Sequence, residues 1–249
     1  MRASAILSLF ALVFAANAYA GNAAVDAALV HPDRLEGDRE IDARRKPDEV
    51  LAFFSIQPGM NVLELYAGGG YYSEILSYVV GEDGEVVAHN NTPYLQHAKD
   101  ERQKRFTKGR LTNVHPLTAE NNELAVPDNT FDAAVLILAF HDIYYVDEEN
   151  GWYKIDGPVF LTEVYSSLKP GAVLGVVDHR AESGAPTTSG NDLHRIDPAV
   201  VKEQITAVGF VFDGESDALR NPDDDVTQPM YAEGIRGKTD RFIYRFRKP

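Results

Sequence analysis

The run Asn61-Val62-Leu63-Glu64-Leu65-Tyr66 is short and apolar. It leads through Ala67-Gly68-Gly69-Gly70 into Tyr71–Val80, where Ile75, Leu76 and Val79 share one side. A strand tied to a helix by a tight glycine loop is the first half of a strand–helix–strand unit, and few architectures accept it. Consecutive glycines permit positive φ and let backbone N–H groups come close to a ligand. Taken alone, the cluster reads equally well as a nucleotide-like binding loop or as a tight turn.

The pattern repeats downstream. Glu85–His89, Asn113–Leu117, Phe131–Ala139 and Ala172–Asp178 read as further strands, with helices expected over Pro93–Phe106 and Gly157–Leu168; Lys169-Pro170-Gly171 is expected to stop the latter. Strands that are continuous apolar runs alternating with helices imply a parallel sheet covered on both faces. A helix at Pro198–Val208 and strands near Phe210–Glu215 and Phe242–Phe246 complete the chain, the last two as an antiparallel edge. Between them Asp217–Lys238 is long, polar and aperiodic, the kind of segment that is functional or disordered.

With 249 residues, 44% hydrophobic and 25% charged, the chain suits one globular domain with extensions. A net charge of −14 argues against a nucleic-acid partner, which would require clustered Lys and Arg. Arg2, the apolar stretch Ala5–Ala18 and Ala18-Tyr19-Ala20 have the order of an export signal cut after Ala20. The expected organisation is therefore a signal peptide over 1–20, an extension over 21–46 that lies on the main domain, and that domain over 47–249. The expected location is periplasmic or secreted, with no membrane span in the mature chain. The chain has no cysteine, so disulfides and thiolate metal sites are excluded.

Several spaced motifs carry a resemblance. Pro58-Gly59-Met60-Asn61-Val62-Leu63-Glu64-Leu65, the glycine loop, Asp128-Asn129-Thr130-Phe131-Asp132 and Leu168-Lys169-Pro170-Gly171 follow in the order seen in class I S-adenosylmethionine (SAM)-dependent methyltransferases. The chain resembles that superfamily over about Pro47–Val177. The resemblance implies a Rossmann-like α/β fold, a mostly parallel seven-stranded sheet with helices on both faces, and SAM as cofactor. It implies that Glu64, Gly68 and Gly70 line the methionine end, that Tyr66 and Gly69 of the same loop also border the cofactor, that Asn90 meets the ribose, and that Glu120 and Asn121 lie near the adenine. Two positions depart from the pattern: Tyr66 replaces the first loop glycine, and Asn90 replaces the ribose-binding acid. The C-terminal half is similar to a narrower family of exported methyltransferase-like proteins, through Phe140-His141-Asp142-Ile143-Tyr144, Asp178-His179-Arg180, Leu193-His194-Arg195-Ile196 and Arg220-Asn221-Pro222-Asp223-Asp224-Asp225.

His141 and Asp142 end the fourth strand, and Asp178 and His179 the fifth, so a parallel sheet brings all four to one rim. Such pairs can supply a general base, since His titrates near neutrality, or hold a divalent metal through N and O ligands. Otherwise they bond loops and cap helices. The assignment is catalytic His141, Asp142 and His179, with no metal. His194 and Arg195 follow Ser183–Asn191, which reads as a solvent loop or a flexible lid. Asp223-Asp224-Asp225 reads as a solvated acidic turn. Tyr71, Tyr72, Tyr144, Tyr145, Trp152 and Tyr153 are core aromatics or walls of a pocket. The expected activity is methyl transfer from SAM to a small-molecule acceptor; the alternative is an exported binding protein that keeps the fold without catalysis.

Overall fold

Seven strands form one sheet in the order β3-β2-β1-β4-β5-β7-β6. They are β1 (Asn61–Leu65), β2 (Glu85–Asn90), β3 (Val114–Thr118), β4 (Phe131–Ile137), β5 (Leu168–His179), β6 (Val211–Ser216) and β7 (Arg241–Arg247). Strands β1–β5 pair in parallel, and β7 joins β5 and β6 antiparallel. The computed structural model describes residues 23–107 and 109–249, so the export signal expected at 1–20 lies outside the described residues. No helix among the described residues is long and apolar enough to cross a membrane.

Side-chain alternation divides the core in two. Val62 of β1 and Ala133 and Val135 of β4 face one cluster with Phe54, Ile75 and Leu76. Leu63 and Leu65 of β1 and Ala134 and Leu136 of β4 face the other, with Phe140, Phe160 and Ile205. Apolar residues at successive positions therefore serve both faces, which is why these strands read as unbroken apolar runs. The covering helices are α1 (Asp38–Arg45), α2 (Pro47–Phe53), α3 (Tyr71–Val80), α4 (Thr92–His97), α5 (Lys99–Arg105), α6 (Gly157–Ser167), α7 (Ser189–Leu193) and α8 (Pro198–Ala207), after a helical stretch at residues 23–29.

Strand order reverses between β1 and β4, which opens a crevice at their carboxyl ends. Both strands leave the sheet there through a left-handed residue that is not glycine, Tyr66 at φ 52° and Leu138 at φ 60°. Such conformations cost about 1–3 kcal/mol and are held by their surroundings. Here they turn the chain sharply at the two walls of the crevice.

Three local expectations change. The helix expected over Pro93–Phe106 breaks at Ala98 into α4 and α5. The break serves two inward side chains, Tyr94 at the crevice and Arg105 in a buried ion cluster. The helix expected over Gly157–Leu168 does stop before Lys169-Pro170-Gly171, at Ser167, but β5 begins at Leu168 and not Ala172: Leu168 pairs with Phe131, and the strand runs on through a register shift. The long polar segment before β7 forms turns, and it is anchored. Arg195, fully buried, donates to both Asp224 carboxylate oxygens (2.7 and 3.1 Å) and to the carbonyls of Gln228 and Arg180. Asp224 is thus an interior ion-pair partner and not part of a solvated acidic turn.

Residues N-terminal to α2 lie along α3. His31 stacks on Tyr78 with ring centroids 3.8 Å apart, the Tyr71 hydroxyl donates to Asp42, and Arg45 covers the Tyr71 ring at 4.8 Å. Asp38, Glu74 and Arg105 meet in a buried cluster that Arg110 joins through Glu74.

Gly175 in β5 is required for close packing, since a Cβ there would lie 2.5 Å from the Phe54 ring. Gly175→Ala is expected to destabilise the fold by about 1–3 kcal/mol, a melting point lower by about 2–4 °C per kcal/mol. A thermal melt of the variant beside the parent checks this; an unchanged midpoint would contradict the packing described.

Candidate active site

The glycine loop lines a small cavity. Glu64, Tyr66, Gly68 and Gly69 contribute to it with Arg45, Tyr72, Tyr94, Glu101 and Leu138, around about 160 Å³. Glu64 is buried; burial pushes its carboxyl up to about 8, although the Ser73 hydroxyl that donates to it and the Arg105 and Arg45 charges pull the other way. Asn90 is fully buried behind the loop, where its Oδ1 accepts from the Gly68 N–H at 2.8 Å. The Tyr66 ring turns away from the loop and packs against Tyr94, His89 and Phe160 at centroid distances of 5.0, 5.8 and 5.9 Å. Glu120 accepts from the Thr92 hydroxyl at 2.7 Å, and Asn121 accepts from the Asn91 side chain at 3.1 Å. These two residues therefore join the end of β3 to the start of α4.

A second cavity of about 400 Å³ adjoins the first and shares Tyr94 and Leu138 with it. His141, Asp142, Tyr145, Trp152, His194, Tyr231 and Arg236 line it. His141 and Asp142 sit on the 3-10 turn that follows β4, and Asp178 ends β5 beside them. Asp178 Oδ1 accepts from His141 Nδ1 at 2.8 Å, which leaves Nε2 facing Asp142. The Tyr94 hydroxyl donates to the other Asp142 oxygen. Burial opposes charge on His141, but the Asp142 and Asp178 carboxylates outweigh it and hold the imidazole up at about 9. Burial opposes charge on Asp142 as well, and there His141, His194 and Tyr94 together hold the carboxyl below its ordinary value.

His179 does not reach either cavity. Its Nδ1 meets the Thr239 hydroxyl at 2.6 Å, its ring centroid is 5.9 Å from that of His141, and burial with the nearby His141 and arginine charges keeps it neutral. Of the aromatics named from sequence, Tyr145 and Trp152 wall the larger cavity. Tyr71 and Tyr72 are buried beside the glycine loop, Tyr144 bonds Gln204, and Tyr153 is exposed.

Four contributors escaped sequence reasoning as site residues. His194 follows α7 in a left-handed conformation, φ 50°, which brings its ring 5.3 Å from that of His141. Tyr231 and Arg236 come from the long polar segment, whose length was the one available signal. Tyr94 reaches in from α4, and nothing periodic marks it.

The comparisons with known proteins agree on the kind of protein this is. The sequence model of the protein-L-isoaspartate(D-aspartate) O-methyltransferase family matches residues 4–134, just over half of the chain. The chain belongs to that family, within the class I SAM-dependent methyltransferases. It is 29% identical over 185 residues to the ubiquinone/menaquinone biosynthesis C-methyltransferase UbiE of Erwinia tasmaniensis, covering 72% of this chain and 66% of the relative. The UbiE of Haemophilus ducreyi is 31% identical over 124 residues, 49% of this chain and 42% of its own. The chain thus spans between two fifths and two thirds of the length of these relatives. Among solved structures, a SAM-dependent methyltransferase from Aquifex aeolicus is similar with a TM-score of 0.58 and 24% identity, covering 84% of this chain and 95% of that one. The [4+2]-cyclase SpnF is similar with a TM-score of 0.55 and 18% identity, over 83% and 81%. Membership of that family brings with it S-adenosylmethionine as the cofactor. The alternative of a non-catalytic binding protein has no support in these matches.

The residues at the loop fit that cofactor. Gly68 is left-handed at φ 56° and open to within 4.0 Å of its neighbours. The Tyr66 hydroxyl and the side-chain amide nitrogens of Asn90 and Asn121 are buried without a hydrogen-bond partner. Buried polar groups are rarely left so, and these three offer bonds to a ligand carrying several polar atoms. The space is small, however, against the roughly 300–1,000 Å³ of ordinary ligand pockets. The chain itself takes up the difference. A Cβ on Gly69 would strike Glu101, and one on Gly70 would strike Phe106, so α5 and the residue after it lie directly on the loop.

Glu64 makes stability depend on pH. Its carboxyl rises from 4.5 unfolded to about 8 folded, so between those values the folded state holds a proton that the unfolded chain has released. Its contribution to stability is full below about 4.5 and declines until about 8. Glu64→Gln, neutral throughout, is expected to melt above the parent near pH 8.5 and level with it near pH 4.5; an equal gap at both would overturn this reading of Glu64.

Proposed function

We propose that the protein methylates a small planar acceptor bearing a hydroxyl, held in the 400 Å³ cavity beside the glycine loop. The observation that carries this is the lining of that cavity. Tyr94, Tyr145, Trp152 and Tyr231 offer ring faces, while His141, Asp142 and His194 converge at its floor. Ring walls favour an apolar, flat ligand, and a few converging polar groups fix its orientation. The relatives from Erwinia and Haemophilus are named for C-methylation in ubiquinone and menaquinone biosynthesis, which supports an aromatic acceptor here as well.

SAM, when bound, supplies an electrophilic methyl group. Glu64, Gly68, Gly69 and Gly70 would hold its methionine end, the unpartnered polar atoms of Asn90 and Tyr66 would meet the sugar, and Glu120 and Asn121 would border the base. Methyl transfer then depends mainly on alignment, since a nucleophile held in line gains most of its rate from positioning. His194 would take the acceptor's hydroxyl proton, and the Asp142 carboxylate 3.7 Å from its ring would stabilise the imidazolium formed. Asp178 fixes the His141 ring, and His179 is a positioning residue that supports the end of β5. Leu138 and Tyr94, common to both cavities, form the passage between donor and acceptor. Admission of the cofactor requires Glu101 and the α5 helix to lift from Gly69.

Methylation of such an acceptor is distinguishable from O-methylation of isoaspartate in a protein. Incubation with methyl-labelled SAM is expected to label simple phenols and hydroquinones, recovered in organic extract, and to leave isoaspartyl peptides unlabelled. Label in the peptides alone would sink the proposal. Asn90→Asp keeps the acceptor for Gly68 N–H and replaces the unpartnered amide with a charged acceptor. It is expected to tighten SAM binding about tenfold by titration calorimetry, since charged acceptors bond about twice as strongly; weaker binding would exclude Asn90 from the ribose position.

A further inference from the structure

We propose that His141, Asp142 and His194 form a binding site for a divalent transition metal at the floor of the larger cavity. Among the described residues these three are the cluster whose ligand atoms all lie within 4.8 Å of one another. Asp142 Oδ1 stands 3.4 Å from His141 Nε2 and 3.7 Å from His194 Nδ1. Those separations are too long for hydrogen bonds, which run from about 2.7 to 3.2 Å. They match the spacing between neighbouring ligands on one ion: bond lengths of about 2.0–2.2 Å at tetrahedral angles place ligand atoms about 3.4 Å apart.

The supporting contacts point the same way. His141 gives its other ring nitrogen to Asp178 at 2.8 Å, and Asp178 is fully buried. A histidine that ligates through one nitrogen while the other bonds a carboxylate is the usual arrangement at metal centres, because the carboxylate fixes the tautomer and raises the ligand's basicity. Asp142 is held in the same manner, its Oδ2 taken by the Tyr94 hydroxyl so that Oδ1 stays free toward the two rings. His194 caps the C-terminal end of α7 in a left-handed conformation, its backbone N–H bonded to the Ser189 carbonyl, and this turn carries its ring to Asp142.

Two imidazoles and one carboxylate suit zinc, iron(II), cobalt or nickel better than calcium or magnesium, which prefer oxygen. Three protein ligands leave at least one position open, and it faces the cavity lined by Tyr145, Trp152 and Tyr231. That position would take water or an oxygen of the bound acceptor. The site goes beyond the methyl-transfer reading and stands on ligand geometry alone.

The test uses the folded protein without SAM or acceptor. After chelator treatment, titration with cobalt(II) alone is followed by visible absorption, and with zinc(II) alone by calorimetry. One ion per chain is expected, with His194→Ala weakening binding by at least about 100-fold and Asp178→Asn by about 10–100-fold. His194→Asn, whose side chain tolerates the left-handed backbone, is a second variant expected to lose cobalt's absorption bands while its circular dichroism matches the parent. No saturable binding, or binding that the His194 variants leave unchanged, overturns the proposal. Either outcome leaves the methyl-transfer assay standing on its own result.

Discussion

The site depends on one buried carboxylate. Asp178 has no exposed surface, and it accepts from the His141 backbone N–H, the His141 ring and the His179 backbone N–H at 2.7–2.8 Å. An ionised group in the interior is tolerable only when its bonding capacity is met, and three short donors do that here. The geometry has a structural result: the turn after β4 is pinned to the end of β5, and the His141 ring can present only its Nε2 side to the cavity. Without that anchor, Asp142, Tyr94 and His194 would have no fixed point to converge upon.

A second set of buried charges holds the surroundings in place. Arg195 secures the long polar segment through Asp224, whose Oδ2 also accepts from the Asp240 N–H. Tyr231 and Arg236 reach the cavity from that segment. Arg105 secures α5 to Asp38 and Glu74 on the opposite flank. Buried ion pairs of this sort contribute little net stability compared with apolar packing, yet removing one partner is strongly destabilising. Their effect here is positional: each fixes an irregular stretch that no sheet or long helix would hold.

The sheet was legible in the sequence for a physical reason. Val62–Leu65, Ala133–Ile137 and Val173–Val177 are covered on both faces, so every position but Glu64 is apolar and the signal is dense. The glycine loop marks the crevice because its conformations and its close contacts exclude side chains. The rest of the site rests on single long-range contacts without periodicity. His194 beside Asp142, Asp224 beside Arg195 and Tyr94 over the crevice each join residues far apart in the chain, and a polar residue in a turn looks the same whether it faces water or a buried partner. Pro93–Phe106 misled for a related reason: its composition favours one helix, and the break at Ala98 is imposed by where Tyr94 and Arg105 must go. The Tyr66 substitution was visible, but the direction of its ring, toward Phe160 and away from the loop, was decided by space in the core.

The helix laid on the glycine loop has a kinetic consequence. Arg105 is almost fully buried among its carboxylates, and dissolved ions screen such pairs far less than they screen surface charges. Lifting this helix from the loop would have to loosen those contacts, and slow opening commonly limits turnover in enzymes with covered sites. Movement of this cover is then set by the protein's interior and is nearly indifferent to the salt of its medium.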